Sequence, residues 1–235
     1  MTLHPITYSA PRVWYDAGEL LVNHVGLVNP GIGSVLEWSK ARPALDVPFI
    51  ISIVVKESWA DWREVWTKLI TRPCITGVEI NVQCPNAKEE SIAWETIRTM
   101  RERARGQLGF GLKFPFGWSA ETIRNHLSTF ETPVDFVTLC NGIPRGRVVG
   151  GGGKSVLTSE EGTITGSAAN RAVVLALLHS LRSYCTDHNI AMVACGGVSA
   201  RRHVDEFLRE GATAVQIGSQ FMREGAHIFT RLLEV

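Results

Sequence analysis

The chain has no apolar run long enough to cross a bilayer. Its longest, Val47 to Val55, falls well short of the ~20 residues a spanning helix needs. It has no charge imbalance either: 24 Lys and Arg against 23 Asp and Glu leave a net charge of +1. That balance gives no reason to expect nucleic acid or a membrane surface as the main partner. The five cysteines, Cys74, Cys84, Cys140, Cys185 and Cys195, are odd in number and widely spaced, and no pair has zinc-site spacing. Free thiols of this kind suit a reducing compartment. Met1 to Ile6 lacks the basic, apolar and small-residue regions of a secretory signal, so the expected location is cytoplasmic. What is present is ordinary globular material. The 235 residues, 45% hydrophobic and 20% charged, suffice for a single domain over 1–235 with a substantial core.

The texture of the chain changes once. Residues 1–46 are punctuated by Pro5, Pro11, Pro30, Pro43 and several glycines, and read as mostly loop with a short helix near 32–41. From Pro48 a strand–helix alternation sets in. Phe49 to Val55 is apolar and β-branched, the pattern of a strand buried on both faces. Ser58 then caps a helix over 59–70, with Trp62, Val65, Trp66 and Leu69 on one stripe. Strands follow at 77–82, 108–114, 134–140, 190–195 and 213–217, each leading to a helical pattern: 89–105, 120–129, 168–187, 200–210 and a C-terminal stretch. Six such units in succession predict an α/β protein with a parallel sheet, either doubly wound or a TIM-type barrel.

The stretch from Gly77 to Asn86 concentrates the chemistry. Val78, Ile80 and Val82 alternate as strand residues do, and Pro85 ends the ladder, so Asn81, Cys84 and Asn86 sit at a strand's end. In parallel sheets active sites are built at that end. By type alone, Cys84 is more often a small buried hydrophobe and the asparagines more often turn formers. Glycines at two other strand ends, Gly196-Gly197 and Gly218-Ser219, let backbone N–H groups approach an anion just before a helix begins. Phosphate in TIM barrels is commonly held after strands seven and eight. Counting back from there makes Phe49–Val55 strand three, and residues 1–46 do not hold two earlier units. The fold expected is therefore an incomplete TIM-type (β/α) barrel of about six of eight βα units.

Several segments, in order, resemble the dihydroorotate dehydrogenase family, especially its soluble class with a cysteine base. Glu79 to Asn86 is similar to that family's Asn-x-x-Cys-Pro-Asn loop, and Asn23 to Gly31 to its substrate loop. Lys113 in Gly-Leu-Lys-Phe-Pro matches its flavin-contacting lysine. Cys140-Asn141-Gly142 resembles its Asn-Ser pair, and the two glycine-bearing strand ends resemble its flavin phosphate site. The resemblance implies oxidation of dihydroorotate to orotate, in pyrimidine biosynthesis, with FMN as hydride acceptor and Cys84 as catalytic base. It also implies substrate contacts from Asn23, Gly26, Leu27, Asn81, Asn86 and Asn141. Cofactor contacts would come from Asn81, Lys113, Gly166, Gly196, Gly197, Gly218 and Ser219. No metal is implied.

The departures from the family pattern are specific. The usual Lys-Pro is Asn170-Arg171, Gly142 stands where serine is usual, and His24 replaces a serine in the substrate loop. The flavin contact of the family's first strand and the lysine of its second have no counterpart, because Met1-Thr2-Leu3 aligns just past that lysine. The resemblance implies a homodimer, and an incomplete barrel exposes two edges that favour association, with a second copy or with a completing chain. The alternative reading is a non-catalytic barrel that binds a phosphorylated ligand or a partner chain. Arg145 and Arg147, and Gly150 to Gly153 with Lys154-Ser155, read as a solvated loop and hairpin tip rather than a phosphate loop.

Overall fold

The computed structural model describes residues 1–7, 14–16, 21–24, 27–84, 92–146 and 161–233. Six parallel strands form one curled sheet: β3 (Ile50–Ile53), β4 (Gly77–Asn81), β5 (Gly109–Lys113), β6 (Phe136–Leu139), β9 (Ala191–Cys195) and β10 (Ala214–Gln216). Each pairs with the next in the order just given. Helices α2 (Trp59–Ile70), α3 (Trp94–Ala104), α4 (Ala120–Leu127), α5 (Ala168–Asp187), α6 (Arg201–Arg209), α7 (Ser219–Glu224) and α8 (His227–Leu233) alternate with the strands. The sheet is an incomplete TIM-type barrel, as the repeating pattern predicted. The predicted helix 89–105 is observed from Trp94, and residues 85–91 lie outside the described residues.

Strand alternation sorts the side chains. Val78, Ile80, Phe110, Leu112, Val137, Leu139, Met192 and Ala194 are buried beneath the helices. On the opposite phase the sheet's inner face carries Ser52, Glu79, Asn81, Lys113 and Thr138. There Gly111 makes room for a ring: a Cβ added to it would stand 2.2 Å from Phe136. Trp62, Trp66 and Leu69 of α2 are fully buried, and the Asp61 carboxylate accepts from both the N–H and the hydroxyl of Ser58, fixing the start of that helix. At the strands' N-terminal end, buried Arg101 of α3 grips Asp135 through both carboxylate oxygens at 2.7 and 2.8 Å, and Asp135 also accepts from the Phe110 N–H at 2.7 Å.

One expectation is corrected here. β3 is not buried on both faces. Its burial alternates, and Ile50 is 46% exposed, because β3 is an edge strand and the inner face beside it is open. Among the described residues of 1–46 loop predominates, as expected, but it is interrupted by two short strands that the sequence pattern did not foretell. Beside α1 (Ile32–Ser39) these residues contribute β1 (Trp14–Asp16) and β2 (Leu21–Asn23) to a second, antiparallel sheet with β7 (Ile143–Gly146) and β8 (Gly162–Thr165), in the order β1-β2-β8-β7. β7 and β8 enclose residues 147–160, so Arg147 and the predicted hairpin tip at Gly150 to Ser155 lie outside the described residues.

Candidate active site

All six strands of the barrel sheet run the same way, so the segments after their C-terminal ends meet at one rim. A cavity opens there, lined from the sheet by Lys113, Cys140, Asn141, Cys195 and Gln216, and from the glycine loops by Gly196, Gly197, Gly218 and Ser219. The antiparallel sheet closes one side with Asn23, Thr165 and Gly166. At about 240 Å³ the cavity lies just below the roughly 300–1,000 Å³ of ordinary ligand pockets, as the open side between β3 and β10 would produce.

Behind its lining, against Lys113 and Gln216, is a buried carboxylate. Glu79 accepts from Ser52 Oγ, Thr138 Oγ1 and Gln216 Nε2, each at 2.7 Å, and its Oε1 lies 4.0 Å from Lys113 Nζ. Burial pushes the Glu79 carboxyl up, but the Lys113 charge and the bonds from Thr138, Ser52 and Gln216 outweigh it and hold it below its usual value. Burial likewise pulls Lys113 down, and Cys195, which accepts a hydrogen bond from it, together with Glu79 more than restores its charge. Lys113 Nζ also donates to Gln216 Oε1 at 3.3 Å. The lysine is thus a fixed cation aimed into the cavity rather than a snorkelling side chain. Burial pushes the neighbouring Cys140 thiol up to about 12, so it stays protonated at neutral pH.

The loop after β4 is tied to this cavity through Asn141. Its Nδ2 donates to Asn81 Oδ1 at 2.8 Å and to the Gln83 carbonyl at 2.7 Å, which brings the half-buried Cys84 to the same rim. Neither Asn81 nor Cys84 lines the cavity itself. Leu27 is off the wall as well, while Asn29 acts as a brace: its Nδ2 donates to the Leu27 carbonyl, and its Oδ1 accepts from the Gly31 N–H. Gly26 and Asn86 lie outside the described residues.

The glycines divide by role. Gly197 has φ +70, and a Cβ on it would meet the Ser167 carbonyl at 2.3 Å. Gly218 has an ordinary φ of −110 and open space where its Cβ would be, so its lack of a side chain leaves room in the cavity. Gly142, where the sequence pattern led one to expect serine, packs against β8: a Cβ there would stand 2.5 Å from Thr163 and 2.6 Å from Thr165. The fit to a flat ring with a phosphate tail thus rests on this chain's own groups: a cation at the floor, carboxamides beside it, and backbone N–H groups left open at the glycine ends.

A family model described as dihydroorotate dehydrogenase matches residues 6–235. The chain belongs to the dihydroorotate dehydrogenase family. It is 25% identical over 215 residues to the dihydroorotate dehydrogenase B (NAD(+)) catalytic subunit of Shouchella clausii, covering 89% of this chain and 69% of that one. The corresponding subunit of Listeria welshimeri is 27% identical over 221 residues, with 89% and 69% covered. Dihydroorotate dehydrogenase A (fumarate) of Lacticaseibacillus paracasei is 26% identical over 227 residues, with 93% and 76% covered. The chain thus spans between two thirds and three quarters of these relatives. Its function is flavin-dependent and dihydroorotate dehydrogenase-like in kind, and its partner is a small molecule. Among the described residues, no helix is long and apolar enough to cross a membrane.

Sequence reading missed Glu79, Gln216 and the Cys140–Cys195 neighbourhood of Lys113. The available signal was phase: Glu79, Lys113, Thr138 and Gln216 are polar residues placed within strands whose other phase is apolar.

Proposed function

We propose that the chain is an FMN-dependent dihydroorotate dehydrogenase: a single-domain, cytoplasmic homodimer in which Cys84 is the base. The observation that carries this reading is the Asn141 bridge, which fastens the loop bearing Cys84 to a cavity with a buried, charged lysine at its floor. When bound, the flavin supplies the hydride acceptor. Cys84 Sγ would take the proton from one ring carbon of dihydroorotate while the neighbouring carbon gives up its hydride, and Lys113 Nζ would hold positive charge beside the cofactor. Because Asn141 Nδ2 is engaged, its Oδ1 is left to accept from an N–H of the substrate ring. Asn81 Oδ1 is engaged in turn, leaving its Nδ2 to donate to a ring carbonyl. Asn23 and Asn86 complete the set of carboxamides, with Gly26 and Leu27 on the substrate loop. Gly166, Gly196, Gly197, Gly218 and Ser219 form the cradle for the phosphate tail.

The test is flavin content followed by turnover. Purified protein should be yellow, or become so with added FMN, and should bleach anaerobically with dihydroorotate. Cys84→Ser should keep the flavin and lose at least 100-fold in the bleaching rate at neutral pH, since serine is a far weaker base. A colourless protein that takes up no FMN overturns the proposal; an unchanged rate in Cys84→Ser overturns the assignment of the base.

A further inference from the structure

Asn170, in the first turn of α5, lines the rim cavity and is only 2% exposed. The loop after β9 closes directly on that turn. A Cβ added to Gly196 would stand 3.2 Å from Asn170 Cβ, and one added to Gly197 would stand 2.3 Å from the Ser167 carbonyl.

One end of the Asn170 carboxamide is committed. Ser167, the N-cap of α5, accepts the Asn170 N–H on its Oγ at 3.2 Å and gives its hydroxyl proton to Asn170 Oδ1 at 2.8 Å. That pair of bonds assigns the amide: Oδ1 faces the cap, and Nδ2 is the end left over. Among the described residues, Nδ2 donates to nothing. A donor withdrawn from water in this way costs free energy unless an acceptor lies beside it in the cavity.

The surroundings select the acceptor. A cation is excluded, since an N–H2 group has no lone pair to offer it. Among the described residues, no Asp or Glu lines the cavity, so no carboxylate of the chain takes this bond. Helix α5 is 20 residues long and starts at this wall, so its dipole adds positive potential beside Nδ2. A donor at a helix start, against glycines that keep side chains away, suits an anionic oxygen.

We infer that Asn170 Nδ2 binds the phosphate tail of the flavin and thereby selects the phosphorylated cofactor over the unphosphorylated one. This rests on the flavin reading above, and adds one side-chain donor to the backbone N–H groups of the glycine cradle.

The experiment titrates FMN and riboflavin, by quenching of flavin fluorescence, into the full native chain, Asn170→Asp and Asn170→Ala at neutral pH and constant ionic strength. Asn170→Asp is nearly isosteric. It keeps the oxygen that accepts from Ser167 and turns Nδ2 into a carboxylate oxygen, which repels a phosphate. An acid in the first turn also suits the helix. FMN should bind roughly tenfold or more weakly to Asn170→Asp and roughly threefold or more weakly to Asn170→Ala, while riboflavin affinity stays within about twofold in all three. Unchanged FMN affinity in Asn170→Asp, or equal weakening of FMN and riboflavin, overturns the inference; in the second case the donor serves the ring or the cavity's shape. If Asn170→Asp fails to fold, Asn170→Ala carries the same readout. Native protein that binds no FMN overturns the flavin reading and this inference with it. Native protein that binds FMN, with Asn170→Asp indifferent, overturns this inference alone.

Discussion

Lys113 is the residue on which the site's electrostatics turn, and Glu79 is what makes a charged lysine tolerable at that depth. A buried ammonium without a counter-charge would shed its proton. Here Glu79 stands 4.0 Å away and is itself held ionised by three hydrogen bonds from as many strands. Glu79→Gln should destabilise the protein by roughly 1–3 kcal/mol at pH 7, since it leaves the lysine poorly compensated. The pH dependence has a definite sign. The folded-state pKa of Glu79 lies below its ordinary 4.5, so its stabilisation is complete above that value and is lost as pH falls through the folded one. Urea unfolding of native protein and Glu79→Gln should therefore differ at neutral pH and converge on acidification below pH 4.5. A gap that stays constant across that range would show that Glu79 is not ionised in the fold.

At the level of elements, the glycine-bearing strand ends and the small antiparallel sheet must fit together. Ser219 Oγ donates to Thr165 Oγ1 at 2.8 Å, joining the loop after β10 to β8, and Gly142 lets β8 lie close to the end of β6. Gly142→Ser would drive a side chain into Thr163 and Thr165, at an overpacking cost of about 1–3 kcal/mol. Thermal unfolding should register that loss, and, under the proposed function, FMN affinity should fall with it because β8 walls the cavity. Gly218→Ala is the contrasting case. Its Cβ enters open space at an ordinary φ, so stability should stay within about 0.5 kcal/mol while FMN binding weakens. Should both variants lose stability equally, the division of roles between these glycines would be wrong.

On the scale of the whole molecule, the open sheet is the dominant feature. β3 and β10 end the sheet; the Met1 backbone covers β3 at Ser52 and Val54, while Val47 and Ile50 beside it are 67% and 46% exposed. Such edges pair with other chains unless guarded by charge. If the proposed homodimer forms through this edge, Ile50→Lys should lower the weight-average mass at the same concentration in sedimentation. Because Ile50 is already half in solvent, the midpoint of thermal unfolding should move little. Association unchanged by this substitution would place the contact elsewhere.

Much of this architecture was legible before any coordinates. The alternation of apolar strands with amphipathic helices is a local property, with periods of two and 3.6 residues, and it predicted all six barrel strands and their shared direction. Of the proposed site residues at strand ends, Asn81, Gly197 and Gly218 followed from the same pattern, because a parallel sheet sends every C-terminal end to one rim, whereas Lys113 and Asn141 were named through the family resemblance. What local pattern could not carry was pairing at a distance. Asn23 meets Thr163 in a sheet of three- and four-residue strands too short to leave a periodic trace. Nor could it predict that Glu79, one polar residue in an apolar strand, would draw Ser52, Thr138 and Gln216 to a common point. The order of apolar and polar residues determined which segments became strands and which way they ran. Only the folded sheet, by bringing side chains up to 137 residues apart into hydrogen-bonding range, decided what the buried carboxylate and lysine would be to each other.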